Sequence, residues 1–378
     1  MVFVAMGFVD AVGPFVSLAK KEFDLNNAVA ALIPFVGLSM FGLLSIPAGI
    51  FQHRHGKKVV LIGGLAVSLL GVLTASFGLH SFPLLLITVV LIGAGAAILQ
   101  VAGNPIMRDV SPPGKYPRNL SLGQFAKAVG SLSGPLIPAI AARFFNVSWQ
   151  IVFPVYSVAL VLTLVAAGTI TLPSRHDGTA AATLRSCLAL LKKPAMLAMA
   201  GAIFLYVGAE VSVSAGIPLF LKERFGLEIS RVGLLGTGLF FLALTVGRFG
   251  GGMILNWARP SRFLVATSVV SLCGLVTLFA PARNIAIMGF LLTGLGFANI
   301  FPLVFSTAID SMPERANEIS GLLVTAIAGG AILPLLMGVL ADHSSVRTAW
   351  AVPLGAIVYV FLLALWQLRA RPLVEVVS

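Results

Sequence analysis

A few polar side chains interrupt otherwise apolar runs, and their types suit ligand binding and proton exchange rather than covalent chemistry. Gln100 and Asn104 stand four residues apart in an apolar helical stretch, so both face one side. Lys127 lies in a second such stretch, Asp10 near the middle of a first, and Glu210 at a comparable depth in a later one. Gln124, Tyr206, Arg248 and Asn299 complete the set. Ionisable groups at bilayer depth are costly and mark pathways, proton relays or paired counter-ions. Asp10 is therefore either a proton or substrate site or a carboxylate held by a neighbouring cation. Lys127 is either that counter-ion, a titrating ammonium, or a positive site for an anion, since a buried lysine shifts its pKa readily.

No enzyme constellation accompanies these residues. Cys187 and Cys273 have neither metal-ligand spacing nor a disulfide framework. Gly93 and Gly95 lie inside an apolar span instead of following a strand, so they are not a phosphate loop. Neither cofactor nor bound metal is expected. The formal charge of +12 falls in short clusters between apolar runs. A nucleic-acid binder would gather its Lys and Arg on one face or tail, so that partner is excluded.

The positioning elements follow from composition. With 58% apolar residues, 10% charged residues and a mean hydropathy of +1.02, the 378-residue chain belongs in a lipid bilayer. At about 20 residues per helical span, twelve spans are expected: 2–19, 28–51, 59–79, 83–107, 120–144, 149–172, 194–221, 232–255, 263–280, 285–308, 319–341 and 349–368. The first run has no basic flank before it and no cleavage site after it, so it reads as a span and not as a signal peptide. The longest polar segment, 173–193, divides an N-terminal six-helix bundle (1–172) from a C-terminal bundle with a short tail (194–378). Its Leu-rich part, 184–191, predicts a short helix on the membrane surface. With Met1 cytoplasmic, fifteen loop Lys and Arg residues fall on one side and eight on the other, which places both termini inside. Pro105, Pro135, Pro138, Pro218, Pro302 and Pro334 are expected to interrupt their spans.

The halves echo each other, as transporter repeats do. Lys20 and Phe23 after the first span correspond to Lys222 and Phe225 after the seventh, and Gly93 with Gly95 in the fourth to Gly294 with Gly296 in the tenth. Gly49, His53, Arg54 and Lys57 after the second span correspond to Gly252, Asn256 and Arg259 after the eighth.

Twelve spans in two repeats, with a basic loop carrying Arg54, Gly56, Lys57 and Lys58 after the second, resemble the major facilitator superfamily. The loop departs from that family's pattern at its acidic position, which is His53 here and Asn256 in the second copy. A narrower resemblance, to the fucose permease and glucose/galactose transporter family, covers most of the chain. It rests on Gly7 with Asp10, on Ala102, Gly103, Asn104 and Pro105, on Asn119 to Gln124 with Gly130, on Tyr206 with Gly208, on Gly247 with Arg248, and on Phe301, Pro302, Phe305 and Ser306. The resemblance implies an all-α fold of two six-helix bundles related by a pseudo-two-fold axis. It further implies import of a monosaccharide with cation coupling, commonly protons, by alternating access; a monomer in the inner membrane is expected. The family's first-helix carboxylate is matched by Asp10, its second coupling carboxylate by Gln100, and its fifth-helix Asn by Lys127.

On that reading Gln100, Asn104, Gln124 and Asn299 offer the donors and acceptors that sugar hydroxyls need, or else join helices. Tyr206, with Phe204 nearby, could stack on a sugar face. Glu210 is a hydroxyl acceptor or second proton site, or else bonds locally to Ser212 or Ser214. Arg248 is expected toward the cytoplasmic end of the eighth span as a gate or helix-end partner, with Asp310, Glu314 and Glu318 as candidate partners for it or for Arg108 and Arg118. A small anion carried through Lys127, a sodium-coupled or uncoupled sugar carrier, and a non-transporting sensor are the competing readings.

Overall fold

A computed structural model describes residues 1–10, 16, 19–20, 22–25, 27–170, 183–226 and 237–369. Most of the first expected span beyond Asp10, linker residues 173–182, the start of the eighth span and the tail 370–378 lie outside the described residues. Hydrocarbon offers the backbone no hydrogen-bond partners, so apolar runs of this length satisfy their N–H and C=O groups as helices. Among the described residues ten helical segments are long and apolar enough to cross a membrane, and Gly238–Ile254 is a shorter apolar helix.

In chain order the helices are α1 (Val2–Met6), α2 (Asn27–His55), α3 (Lys57–Ser76), α4 (Phe82–Asp109), α5 (Tyr116–Ile140), α6 (Val152–Thr169), α7 (Leu184–Ala189) and α8 (Pro194–Phe225). They continue as α9 (Gly238–Ile254), α10 (Pro260–Thr277), α11 (Arg283–Phe297), α12 (Ile300–Ser311), α13 (Ala316–Thr325), α14 (Gly329–His343), α15 (Val346–Ala349) and α16 (Ala351–Arg369). The expected tenth span is thus two helices. Pro302 has no N–H for the Ala298 carbonyl, and Asn299 turns out of helical geometry at φ −114° and ψ 2°. The eleventh is also divided, by a 3₁₀ turn at Ala326–Ala328. Pro105, Pro135, Pro138, Pro218 and Pro334, in contrast, sit within continuous helices. The expectation that they interrupt their spans is corrected: a helix tolerates proline where neighbours take the freed carbonyls, as Ser320 takes that of Val101 and Thr237 that of Ser214.

The same packing recurs in both halves. α3 packs on α4 as α10 packs on α11, α2 on α4 as α9 on α11, α3 on α6 as α10 on α16, and α1 on α5 as α8 on α14. The repeated glycines explain part of this correspondence. A Cβ at Gly93 would sit 2.4 Å from the Gly37 carbonyl oxygen of α2, and one at Gly294 would sit 2.5 Å from the Phe240 carbonyl oxygen of α9. A Cβ at Gly95 would meet Ser68 Oγ of α3 at 2.0 Å, and one at Gly296 would meet Ser271 Oγ of α10 at 2.4 Å. Each glycine pair lets one central helix approach two neighbours, once per half.

Between the halves, α2 packs along α13 and α5 along α9. The end of the bundle bearing the basic loops is pinned. Arg108 Nε lies 3.0 Å from Asp310 Oδ1, and Gln52 Nε2 donates to Asn317 Oδ1 at 2.8 Å. The Ser320 hydroxyl donates to the Val101 carbonyl at 2.9 Å. That carbonyl is available because residue 105 is a proline without the N–H that would normally take it. Ser320→Ala leaves this buried acceptor with only the longer 3.4 Å contact from Gln52 Nε2, a loss of about 1 kcal/mol or roughly a fivefold shift toward opening of this end. Spin labels at exposed positions 113 and 314 should report a larger long-distance population; an unchanged distance distribution would count against the latch.

The predicted surface helix is α7, but it packs against α2 and α13 instead of lying free. Thr183 and Ser186 form a reciprocal cap, Ser186 also bonds Glu318, and Arg315 donates to the Ser186 carbonyl at 2.9 Å. Burial pushes the neighbouring Cys187 thiol up to about 11, and the Glu318 charge adds to the rise. At pH 8 the thiolate is then about one part in a thousand. Maleimide labelling of Cys187 should be at least about a hundredfold slower in the native protein than after denaturation in SDS.

Candidate functional site

Two interlocked glycines bring the first ion pair together. A Cβ at Gly7 would lie 2.2 Å from the Lys127 carbonyl oxygen, and one at Gly130 would lie 2.1 Å from the Val4 carbonyl oxygen. The residues N-terminal to Asp10 are therefore pressed against α5. Lys127 Nζ lies 3.1 Å from Asp10 Oδ2, and Ser131, one turn along α5, places its hydroxyl 3.1 Å from the same oxygen. The lysine side chain is 12% exposed and the carboxylate 32%, so the acid is the more accessible member. Phe8 stacks on Tyr156 of α6 at 3.8 Å, and the Tyr156 hydroxyl lies 2.8 Å from Ser133 Oγ, which ties the same face to a third helix.

The second ion pair lies in the other half. Arg248 Nη2 of α9 is 3.4 Å from Glu210 Oε1 of α8, and the Tyr206 hydroxyl, one turn away on α8, donates to Glu210 Oε2 at 2.5 Å. Tyr206 is buried, with its ring edge-on to Phe297. Arg248 also donates from Nη1 to the Gln124 carbonyl of α5 at 3.5 Å and so touches both halves. The partners expected for it near a helix end are engaged elsewhere: Asp310 with Arg108, and Glu318 with Arg315. Its guanidinium is instead buried against an intramembrane carboxylate. Asn299, at the break between α11 and α12, donates to the Gly247 carbonyl beside Arg248 at 2.7 Å.

Gln100, Asn104 and Gln124 are buried. The amide nitrogens of all three, both side-chain polar atoms of Asn104 and the Asn299 Oδ1 have no hydrogen-bond partner among the described residues. Buried amides are normally satisfied, and these atoms are chemically able to donate to or accept from a bound molecule. The structure joins Asp10 with Lys127, and joins Gln124, Arg248, Glu210, Tyr206 and Asn299 in one contiguous set. Gln100 and Asn104 stand on α4, which packs against α1 and α5, the elements that carry the first ion pair's surroundings. Sequence reasoning missed Ser131 and the pairing of Arg248 with Glu210. The four-residue spacing of Lys127 and Ser131 was the available signal for the first. The second spans two helices, and no spacing within one helix encodes it.

A membrane-embedded bundle with repeated halves, polar groups between them and one pinned end defines a carrier of small solutes and not an enzyme. The chain belongs to the Major Facilitator Superfamily, whose family model matches residues 1–333. It is 28% identical over 376 residues to the glucose/galactose transporter of Brucella abortus biovar 1 (strain 9-941), covering 95% of this chain and 90% of that one. It is 24% identical to the L-fucose-proton symporter of Escherichia coli (strain K12), covering 91% and 86%. The crystal structure of the transporter FucP in the outward conformation superposes with a TM-score of 0.82 at 19% identity, covering 97% of each chain. The all-α fold of that superfamily is thereby established, and the chain is a multi-pass membrane protein.

Proposed function

We propose that this protein is a secondary active transporter that imports a monosaccharide together with a proton, by alternating access across the cell inner membrane. The observation that carries the reading is the Asp10 to Lys127 pair at 3.1 Å inside the bundle, which couples a proton-accepting carboxylate to a cation that must be neutralised or solvated whenever the acid is protonated. The names of the relatives, sugar transporters and sugar-proton symporters, support the same class of cargo.

In this mechanism the halves 1–172 and 194–378, joined by 173–193, rock about α2 with α13 and α5 with α9. The pinned basic end is the cytoplasmic gate, closed in an outward-facing state, with both termini inside and a single chain in lipid as the working unit. Gln100, Asn104, Gln124 and Asn299 hydrogen-bond substrate hydroxyls, and Tyr206 contributes to the site wall. Asp10 takes the proton while Lys127 answers its charge. Glu210 with Arg248 forms the complementary pair in the other half, and the Arg248 contact to Gln124 opens as the halves separate.

Purified protein in liposomes tests this reading. An inside-alkaline pH gradient should drive accumulation of labelled glucose, galactose, fucose or an acidic hexose, and a protonophore should collapse it. Equal uptake with and without the gradient would overturn the coupling.

A further inference from the structure

The two ion pairs constrain the charge of the cargo. With Asp10 and Glu210 ionised and Lys127 and Arg248 charged, the site is neutral overall. Proton loading at Asp10 removes one negative charge and leaves the Lys127 ammonium, 12% exposed, without its counter-ion. Among the described residues, the elements packed around the pair offer no replacement. The span portion of α4, residues 82–105, contains no charged residue, and neither does α6. They present the amides of Gln100 and Asn104 and the Tyr156 phenol, which is engaged with Ser133. On α5 the groups facing Asp10 are Lys127 and the Ser131 hydroxyl. Glu210 is held by Arg248 and Tyr206.

A neutral sugar that binds with the pair intact supplies no charge to balance a proton on Asp10. A monoanion gains a great deal. Its carboxylate takes the Lys127 ammonium, Asp10 is displaced and protonated, and the loaded site is neutral again. Either ligand alone leaves one unbalanced charge in a low-dielectric interior. Their binding is therefore mutually favourable, and linkage makes the coupling reciprocal. The unpartnered amide nitrogens of Gln100, Asn104 and Gln124 supply the further donors an acceptor-rich ligand requires.

We infer that the substrate is an acidic monosaccharide, a hexonate or hexuronate whose carboxylate pairs with Lys127 and which travels electroneutrally with one proton on Asp10. This rests on the proton-coupled monosaccharide reading and narrows its substrate class.

The test uses full-length protein in liposomes with gluconate, glucuronate and galacturonate as probes beside glucose, galactose and fucose. Acid uptake is expected to follow the pH gradient about tenfold per unit and to be unmoved when a potassium diffusion potential is imposed. A neutral sugar carried with a proton would respond to that potential. Lys127→Gln should lose at least about tenfold in acid uptake, and Lys127→Arg should restore a measurable part of it. Correct folding of both variants is checked by monodisperse size-exclusion profiles. If neutral hexoses accumulate while the acids are neither taken up nor compete, the inference is overturned and the broader reading stands. If acids are carried equally well by a folded Lys127→Gln protein, the role given to Lys127 is overturned. Absence of gradient-driven uptake for every probe would overturn both.

Discussion

Asp10→Asn is expected to abolish proton-driven accumulation while leaving substrate exchange across the membrane. One proton per substrate converts a pH difference of one unit, about 1.4 kcal/mol, into about tenfold accumulation. The wild-type protein should approach that limit, and the variant should stop at equal concentrations inside and out. Asparagine keeps the shape of the side chain and can still meet Ser131, but it cannot exchange a proton or neutralise Lys127 3.1 Å away. The lysine left in the bilayer without its counter-ion should also depress substrate-free stability, because removing one member of a buried pair strands the other. Asp10→Asn combined with Lys127→Gln should recover that stability but not the coupling. Gradient-driven accumulation by Asp10→Asn equal to wild type would remove Asp10 from the mechanism.

Gly130→Val is expected to disable transport through geometry alone. The added Cβ would stand 2.1 Å from the Val4 carbonyl oxygen, and backbone on both sides prevents either atom from giving way. The helices must part, and Asp10 moves off Lys127 with them, because Gly130 lies within one turn of the lysine. Overpacking of this kind costs about 1–3 kcal/mol where side chains can adjust, and more is expected where main chain must move. Thermal stability in detergent and uptake should fall together. Gly63→Val is the matching control: nothing lies within 4 Å of a Cβ at that position. Full uptake by the Gly130 variant would show that close contact between the first and fifth spans is dispensable.

The legible part of the site was its inventory. Asp10, Lys127 and Glu210 are conspicuous because ionisable groups in apolar runs have few structural reasons to be there. The candidate pairing of Asp10 with Lys127 could be posed from charge alone, and the structure supplies the contact. Arg248 was harder to place. It lies six residues from the end of α9, among glycines, and a helix-end role fitted that position as well as a central one. Its actual partner, Glu210, is 38 residues away on another helix, and only the approach of α9 to α8 and α5 brings it there. Likewise, Pro105 was readable as a helix interruption. The chain stays helical through it, and the freed Val101 carbonyl serves the other half through Ser320.

What the sequence determined by itself was therefore the class of solvent, the approximate positions of the spans, the repeat and the list of costly polar groups. Each of these is a local property: the hydrocarbon thickness sets span length, and apolar composition sets burial. Whether the paired glycines were structural or incidental, which charges meet, and how the Asn-Pro turn of α4 reaches the opposite half were decided by tertiary structure alone. These depend on interhelical distances of a few ångströms between residues far apart in the chain. Two carbonyl oxygens near 2 Å from absent Cβ atoms, at Gly7 and Gly130, mark the close approach that brings an isolated acid and an isolated lysine into contact.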